Sequence, residues 1–510
     1  MASNGINASS DRVGLSFVEE AIQGTTPTNP KFTPFRYTGS TDLKTEPKTE
    51  MSKEITADRQ VKDLLVNDED TSGSVAIEFS EDSYEGLIEG AMFNNWQKNI
   101  VRNDKDDLVN PFTSITALSS TTGTIDLDAT VTVAPFKVDD ILYIDGVDAS
   151  INGAIVQVTV VPAVAPFDTE FLVLNNFGIL DYTCTDSSKV YQVGLEFQDV
   201  ISATVAPNTL TSVTSDFTAI PSLRVGQWIK IGSTSNFALD GFDTLANNDF
   251  VKIGKIETNT LTLDKVPSGW VADANSGSKK IAIFFNSYID NGVVEKSYTL
   301  ERTFKDHTPI DYQSFLGMMV NQWSIDNSTK EICTGSFDFI GRGNRTATVR
   351  ATGATDLEES DTSVFNTVNN INYLELDDID ISAGSNSSGK NLVLKMSFDI
   401  KNNLREQKAI GSLSSQGVGV GMCEVTGSLQ TYFQDNTILE LLNNNTDTSL
   451  RLRYSINNRY MIFDFPTIKI SSGAPEVSGV NTDVEATYGW QALKDDKYGI
   501  TMSISSVTTY

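Results

Sequence analysis

Residues 71–93 read TSGSVAIEFSEDSYEGLIEGAMF. Val75, Ile77 and Phe79 alternate with polar positions, the period of a half-buried strand. Asp82 and Glu85 then form a D-x-x-E capping box. Tyr84, Leu87, Ile88, Ala91 and Met92 follow at the spacing of one apolar helical face. Gly86 and Gly90 weaken that helix, so it should be short and held by packing. The same grammar returns 354 positions later, counting Gly73 to Gly427, in VTGSLQTYFQDNTILELLNNN. There Leu429, Thr431 and Phe433 alternate, Thr437 and Glu440 supply the capping box, and Ile438, Leu441 and Leu442 make the apolar face.

The flanks repeat too. An alternating strand (Leu392, Leu394, Met396, Phe398, Ile400) precedes the second copy where TEMSKEITADRQVKD precedes the first, with Asp399-Ile400 aligned to Glu54-Ile55. SLRLRYSI and YMIFDFPTIKI answer SYTLERTF and LGMMVNQWSID, and ICTGSFDFIG and NTDVEATYGWQA close the two halves. Five elements in one order indicate a tandem duplication. The step from helix to next strand spans 443 to 450 in the second half but 93 to 298 in the first. The excess is an insertion into a loop, where no core contact is broken. It repeats internally: FKVDDILYIDG (136–146) answers LRVGQWIKIGS (223–233), with Val138 and Val225 87 positions apart. The expected architecture is mainly β. It has a flexible arm (1–40), a first fold (41–112 plus 293–340) and two inserted small β modules, Ig-like or barrel (113–195 and 196–292). A polar linker (341–391) with one short strand near Tyr373 to Leu376 leads to a second fold (392–510). Each fold is a β-sandwich or barrel with one short α-helix.

Composition narrows the chemistry. A chain of 510 residues is expected to hold two to four domains. Its 38 basic and 67 acidic residues give a net charge of -29, which argues against sequence-independent nucleic-acid binding. Such charge suits solubility, or a channel that a polyanion crosses without sticking. The start, MASNGINASSDRVG, lacks the apolar core of a signal peptide, and no run approaches the roughly 18 apolar residues of a membrane helix. Cys184, Cys333 and Cys423 fit neither zinc spacing nor a disulfide framework and are expected as buried free thiols. The single histidine, His307, leaves no basis for a histidine-ligated metal cluster. The acidic runs at 67–73, 103–107 and 376–382 lack a calcium-loop pattern and are expected to be solvated loops. Gly417, Gly419 and Gly421 are not followed by the Lys-Ser/Thr of a phosphate loop and suit a hinge or turn. Trp96, Trp228, Trp270, Trp323 and Trp490 are scattered, as packing residues are. No catalytic, cofactor-binding or metal-ligating set emerges.

FTPFRYTGSTDLKTEPKTEMSKEITADRQVKD with GSVAIEFSEDSYEGLIEGAMF, then YTLERTF, FLGMMVNQWSIDN and CTGSFDFIGR, resembles the first part of tail tube proteins of long-tailed bacteriophages. VTGSLQTYFQDNTILELL and MIFDFPTIKISSGAPEVSGVNTDVEATYGWQA resemble the closing part. The resemblance covers about 41–112 and 293–510, not the insertion. It implies a non-enzymatic structural virion protein of the tail whose subunits pair edge to edge into rings, and rings that stack into a conduit for the genome. With the fold duplicated, three chains making a pseudo-hexameric ring is the favoured expectation, with a ring of six chains, as in the single-copy form, as the alternative. The implied partners are other copies of itself, the tape-measure, tail-terminator and distal tail proteins, and double-stranded DNA passing without specific binding; no membrane or cofactor is implied. The inserted modules are expected outside the tube. Lumen-lining candidates are Glu46, Glu50, Glu54 and Asp399. Ring-stacking candidates are Lys53, Arg59 and Lys62 in the 53–64 segment, with Gly411, Gly417 and Gly421 in the later loop. The competing readings are a β-modular surface adhesin or carbohydrate-binding protein, which would carry a signal peptide and binding loops, and a polysaccharide-degrading enzyme.

Overall fold

A computed structural model describes residues 9–509 except 40, 56, 58, 59, 99, 103–114, 120–123, 128–133, 135, 146–152, 162–170, 175–181, 184–187, 198–201, 221, 233–240, 276–279, 383–390 and 478. The protein is mainly β, with two short α-helices among the described residues. Its residues divide into two compact units: Met1–Asn95 with Asp290–Arg451 and Phe465–Asp495, and Trp96–Ile289 with Leu452–Asp464 and Asp496–Tyr510.

In the first unit, β1 (Val13–Glu20) and β2 (Lys31–Pro34) occupy the region expected as a mobile arm. Instead, β1 runs antiparallel to β5 (Ser297–Phe304) over its whole length, and Leu15, Phe17 and Phe32 are buried. Val13, Leu15 and Phe17 alternate at the strand period inside an otherwise polar, Gly- and Pro-rich stretch, and they complete a core. Glu20 is buried as well, and it is fully engaged: Gly24 N, Ser297 Oγ, Thr299 Oγ1 and Gly317 N donate to it at 2.7–3.0 Å. A buried carboxylate is tolerated only with such partners.

β3 (Lys44–Met51) and β4 (Leu64–Glu78) form a long hairpin that leads into α1 (Glu85–Met92). The helix buries Leu87, Ile88, Ala91 and Met92, as the spacing predicts. The capping box does not form. The helix begins at Glu85 with no side-chain cap, and Asp82 sits in the preceding turn at φ 58°. Gly90 has a packing role, since a Cβ there would come 2.7 Å from the Tyr298 hydroxyl, which donates to the Gly86 carbonyl. α2 (Thr437–Asn443) likewise lacks a side-chain cap from its N-cap residue; Asp435 accepts from Thr437 N at 3.0 Å.

The remaining strands used below are β6 (Asp311–Ser328), β7 (Thr334–Gly341), β8 (Gly343–Ala347), β9 (Val393–Lys401), β10 (Arg405–Gln407), β11 (Gly417–Gly419), β12 (Glu424–Tyr432), β13 (Arg459–Glu476) and β14 (Glu485–Ala492). β8 and the strand Ile371–Leu376 lie in the region expected as a linker. β6 and β13 are both 18 residues long. Against β7 and β14 respectively they carry register shifts between Val320 and Gln322 and between Ile470 and Ser472, and β6 carries a second shift against β5, where Tyr298 faces Met318 and Leu300 faces Phe315. Such an extra residue bends a strand and lets its two ends serve different neighbours. The first part of β6 pairs with β5 and β8, the second with β7 and β9. Aromatic residues fill the interior: Trp323 stacks on Phe337 with centroids 5.7 Å apart, and Phe465 meets Trp490 edge-on at 5.0 Å.

The second unit contains most of the region between α1 and β5. One core gathers Phe197, Leu210, Phe217, Ile229, Ile253, Leu261 and Ile283. Another places Ile462 and Val507 against Ile141, Val193, Trp228 and Phe284. The last strand, Ser503–Thr508, is therefore fully buried and pairs with Arg459–Asp464. A buried ion pair, Lys252 Nζ to Asp464 Oδ2 at 2.6 Å, joins the same two stretches of sequence.

Candidate functional site: a polar sheet face with two open edges

In the first unit seven strands and the part of β13 from Phe465 onward follow one another by pairing, in the order β3, β4, β7, β6, β9, β12, β14, β13. Side chains alternate across a sheet, so opposed residues share a face. One face carries Val75, Ile77, Phe337, Trp323, Ile325, Phe398, Ile400, Leu429 and Trp490, all buried. The opposite face is polar and cross-linked from strand to strand. Ser74 donates to Asp338 at 2.5 Å, Ser324 and Ser336 meet at 2.8 Å, and Gln322 donates to Asp399 at 3.0 Å. Lys395 pairs with Asp326 at 2.6 Å, Ser397 meets Ser428 at 2.9 Å, and Gln430 donates to Glu485 at 2.8 Å. Carboxylates outnumber lysines on this face: Glu46, Asp68, Asp70, Glu78, Asp326, Asp338, Asp399, Glu424, Glu476 and Glu485 stand with Lys44, Lys48, Lys395, Lys401 and Lys469.

The order divides into two similar quartets. In the first, β4 Gly73 faces Phe339, which is opposite Val320 on β6. In the second, β12 Gly427 faces Trp490, which is opposite Ile470 on β13. The register shift follows at the next residue in both. On this correspondence β9 answers β3, and Asp399, opposite Thr426, answers Lys44, opposite Ser72. The alignment of Asp399 with Glu54 expected from sequence is thus displaced by ten residues, because β3 continues past the shared part into a longer hairpin. Among the described residues, β3 is paired along one edge only, with β4, and the stretch of β13 beyond Ile470 only with β14.

Both hairpins beside this face are exposed at their tips. Beyond β3, Ser52 N donates to the Asp63 carbonyl at 2.9 Å and closes a loop. Ile55 is wholly exposed, and Val61, Leu64, Leu65, Val66 and Met51 are half exposed or more. The later hairpin, β10 with β11, exposes Ile410 fully. An ion cluster ties its loop to β4: Lys408 contacts Asp68 at 2.5 Å, Asp70, and Glu406 at 3.1 Å, while Lys48 also reaches Asp70. Partial burial alone would raise the Asp70 pKa, but the hydrogen bonds from Lys408 and Lys48 outweigh it and hold it down at about 2. Lys408 is correspondingly held above the usual lysine value.

Of the sequence-predicted residues, Glu46 and Asp399 lie on the polar face, Glu46 pairing with Lys44 at 2.7 Å. Glu50 stands farther along β3 and accepts from Asn67 at 2.9 Å; Glu54 lies past the strand end with Lys62 at 2.5 Å. Lys53 is exposed, 3.9 Å from Glu50. Arg59, Cys184 and the acidic run at 103–107 lie outside the described residues. Gly411 adopts φ 91° in open space; Gly417 opens β11; a Cβ on Gly421 would strike the Asn403 carbonyl at 2.4 Å. The exposed apolar cluster at 61–66 has its sequence signal in the run LLV between polar neighbours. Burial pushes the Cys333 thiol to about 12 and the Cys423 thiol to about 11, so neither suits nucleophilic work near neutrality. His307 stacks on Phe304 and bonds Asp311 at 2.6 Å.

Residues 10–492 match the model of a protein family described as Phage tail tube protein. No curated protein matches the chain.

Proposed function

The chain belongs to the phage tail tube protein family, and on that premise we propose that it is a two-copy wall subunit, three of which close one ring of the tube. Membership makes it a structural, non-enzymatic component of the virion tail that assembles with itself and with other tail proteins. The observation that carries the finer reading is the eight-strand run, two similar quartets joined at β6 and β9 and ending on two open edges. If each quartet is one copy of a duplicated tube fold, the β6–β9 joint is already the contact between neighbouring copies.

Size supports three chains. Strands lie about 4.8 Å apart, so three such runs give a circumference on the order of 115 Å and a diameter of roughly 37 Å before strand tilt widens it. That exceeds barrels of about 16–18 strands, which already leave an aqueous channel. One run alone would close on its own side chains. The polar face is assigned to the lumen, with Glu46 and Asp399 on its wall and Glu50 and Glu54 toward a rim. Excess carboxylate there repels phosphate along the whole path, so no point holds the passing duplex. The apolar tips around Ile55 and Leu64, with Lys53, Arg59 and Lys62, are assigned to stacking, along with the Gly411–Gly421 loop. Terminator, tape-measure and distal tail proteins are the expected partners at the tube ends and in its bore.

Electron microscopy of the purified protein tests this. Rings or cylinders with a central hole and three-fold symmetry are expected; particles without a hole at high concentration would end the reading.

A further inference from the structure

We propose that the joint between successive chains of the ring is an antiparallel pairing of the end of β13 in one copy with β3 of the next, in the register of the β6–β9 joint. The inference rests on the ring reading above and specifies its contact. Inside one chain, Gln322 faces Lys401, Trp323 faces Ile400, Ser324 faces Asp399, Ile325 faces Phe398 and Asp326 faces Ser397. The quartet correspondence carries Val320 to Ile470 and Asp399 to Lys44. The same joint between chains then sets Ser472 opposite Glu46, Gly473 opposite Thr45, Ala474 opposite Lys44, and Pro475 opposite Leu43. Glu476 falls opposite Asp42 and diagonal to Lys44, within reach of long side chains.

The two edges are built for pairing only with each other. An unpaired edge invites indiscriminate association, and proline and charge are the usual protections. Pro475 and Glu476 stand on one edge, and Lys44, Glu46, Pro47 and Lys48 on the other. Within the chain, Trp323 and Ile325 pack with Ile400 and Phe398 in a buried joint. Between chains the corresponding residues are Gly473, Pro475, Thr45 and Leu43, smaller groups that leave the free subunit's edge with little apolar surface. Val477, next in line and 81% exposed, would be covered by the neighbouring copy.

Carbodiimide treatment of the unmodified assembled protein, followed by peptide mass spectrometry, should join Lys44 to Glu476. Within one chain these residues lie at opposite ends of the run, seven strand spacings or roughly 34 Å apart along the sheet, so such a link must be intermolecular. Independently, oxidising the A474C/K44C protein should convert the monomer band into covalently closed oligomers. A474C/L43C, whose thiols fall on opposite faces, should stay monomeric on denaturing gels. Rings visible by microscopy with neither link, or with links only at other positions, would overturn the register while leaving the ring intact. No rings from the unmodified protein would remove the ring reading and this contact together.

Discussion

Replacing Ile55 and Leu64 together by serine should stop rings from stacking while leaving the subunit folded. The two side chains are 100% and 60% exposed, so the subunit gains little by keeping them apolar. Fully burying an Ile or Leu is worth about 1.5–3 kcal/mol, so scaling by exposure gives about 3 kcal/mol per hairpin on docking. Three hairpins per ring raise this to about 9 kcal/mol per ring-to-ring contact, more than a million-fold in the stacking constant at about 1.4 kcal/mol per tenfold. Ordering and association costs apply equally to variant and parent and largely cancel in the comparison. If only half of the apolar area is covered, the loss is still about a thousand-fold. Electron microscopy and sedimentation would show single rings or short stacks in place of long tubes. Circular dichroism and the melting temperature should stay close to the parent, because exposed substitutions usually change stability by no more than about 0.5 kcal/mol. Tubes of parental length would refute the assignment of these tips to stacking.

Gly90→Ala should destabilise the first unit by about 1–3 kcal/mol, because its methyl would strike Tyr298 in a filled core; denaturant unfolding reads the loss. Lys252→Met should cost about 3–5 kcal/mol by leaving Asp464 buried without its cation, whereas Lys252→Met with Asp464→Leu should recover most of it in the same measurement. Hydrogen bonding to Lys408 lowers the Asp68 pKa and helps hold that of Asp70 down at about 2, so the pairing adds stability above the ordinary carboxylate range that is lost as pH falls toward the folded-state value of Asp70. An acid protease should therefore spare the 408–416 loop at pH 4 and cut it near pH 2, and Lys408→Met should make it cleavable at pH 4. Asp326→Lys with Asp399→Lys should leave assembled particles that retain double-stranded DNA in a salt-dependent way, where the parent passes it freely in a filter-binding assay.

What the chain determines by itself is which side of each segment is apolar. Val75, Ile77, Phe398 and Ile400 alternate in sequence and are buried in the fold, and the apolar stripe of α1 is buried where its spacing places it. These are properties of neighbouring residues, set by the two-residue and 3.6-residue periods of the backbone. Its acidic balance is local information of the same kind. The tertiary structure alone decided the pairings. Asp399 answers Lys44, not Glu54, because a hairpin's length does not alter the alternation by which its register is guessed. Leu15 and Phe17 became core only because Ser297–Phe304 arrives beside them, and Val507 only because Trp228 and Phe284 do. The helices begin at Glu85 and Thr437 without a side-chain cap from their N-cap residues Tyr84 and Asn436, which the local capping pattern did not indicate. Which strand edges stay open is likewise invisible to periodicity: β3 and the end of β13 are open because of what pairs elsewhere in the fold, through contacts hundreds of residues apart.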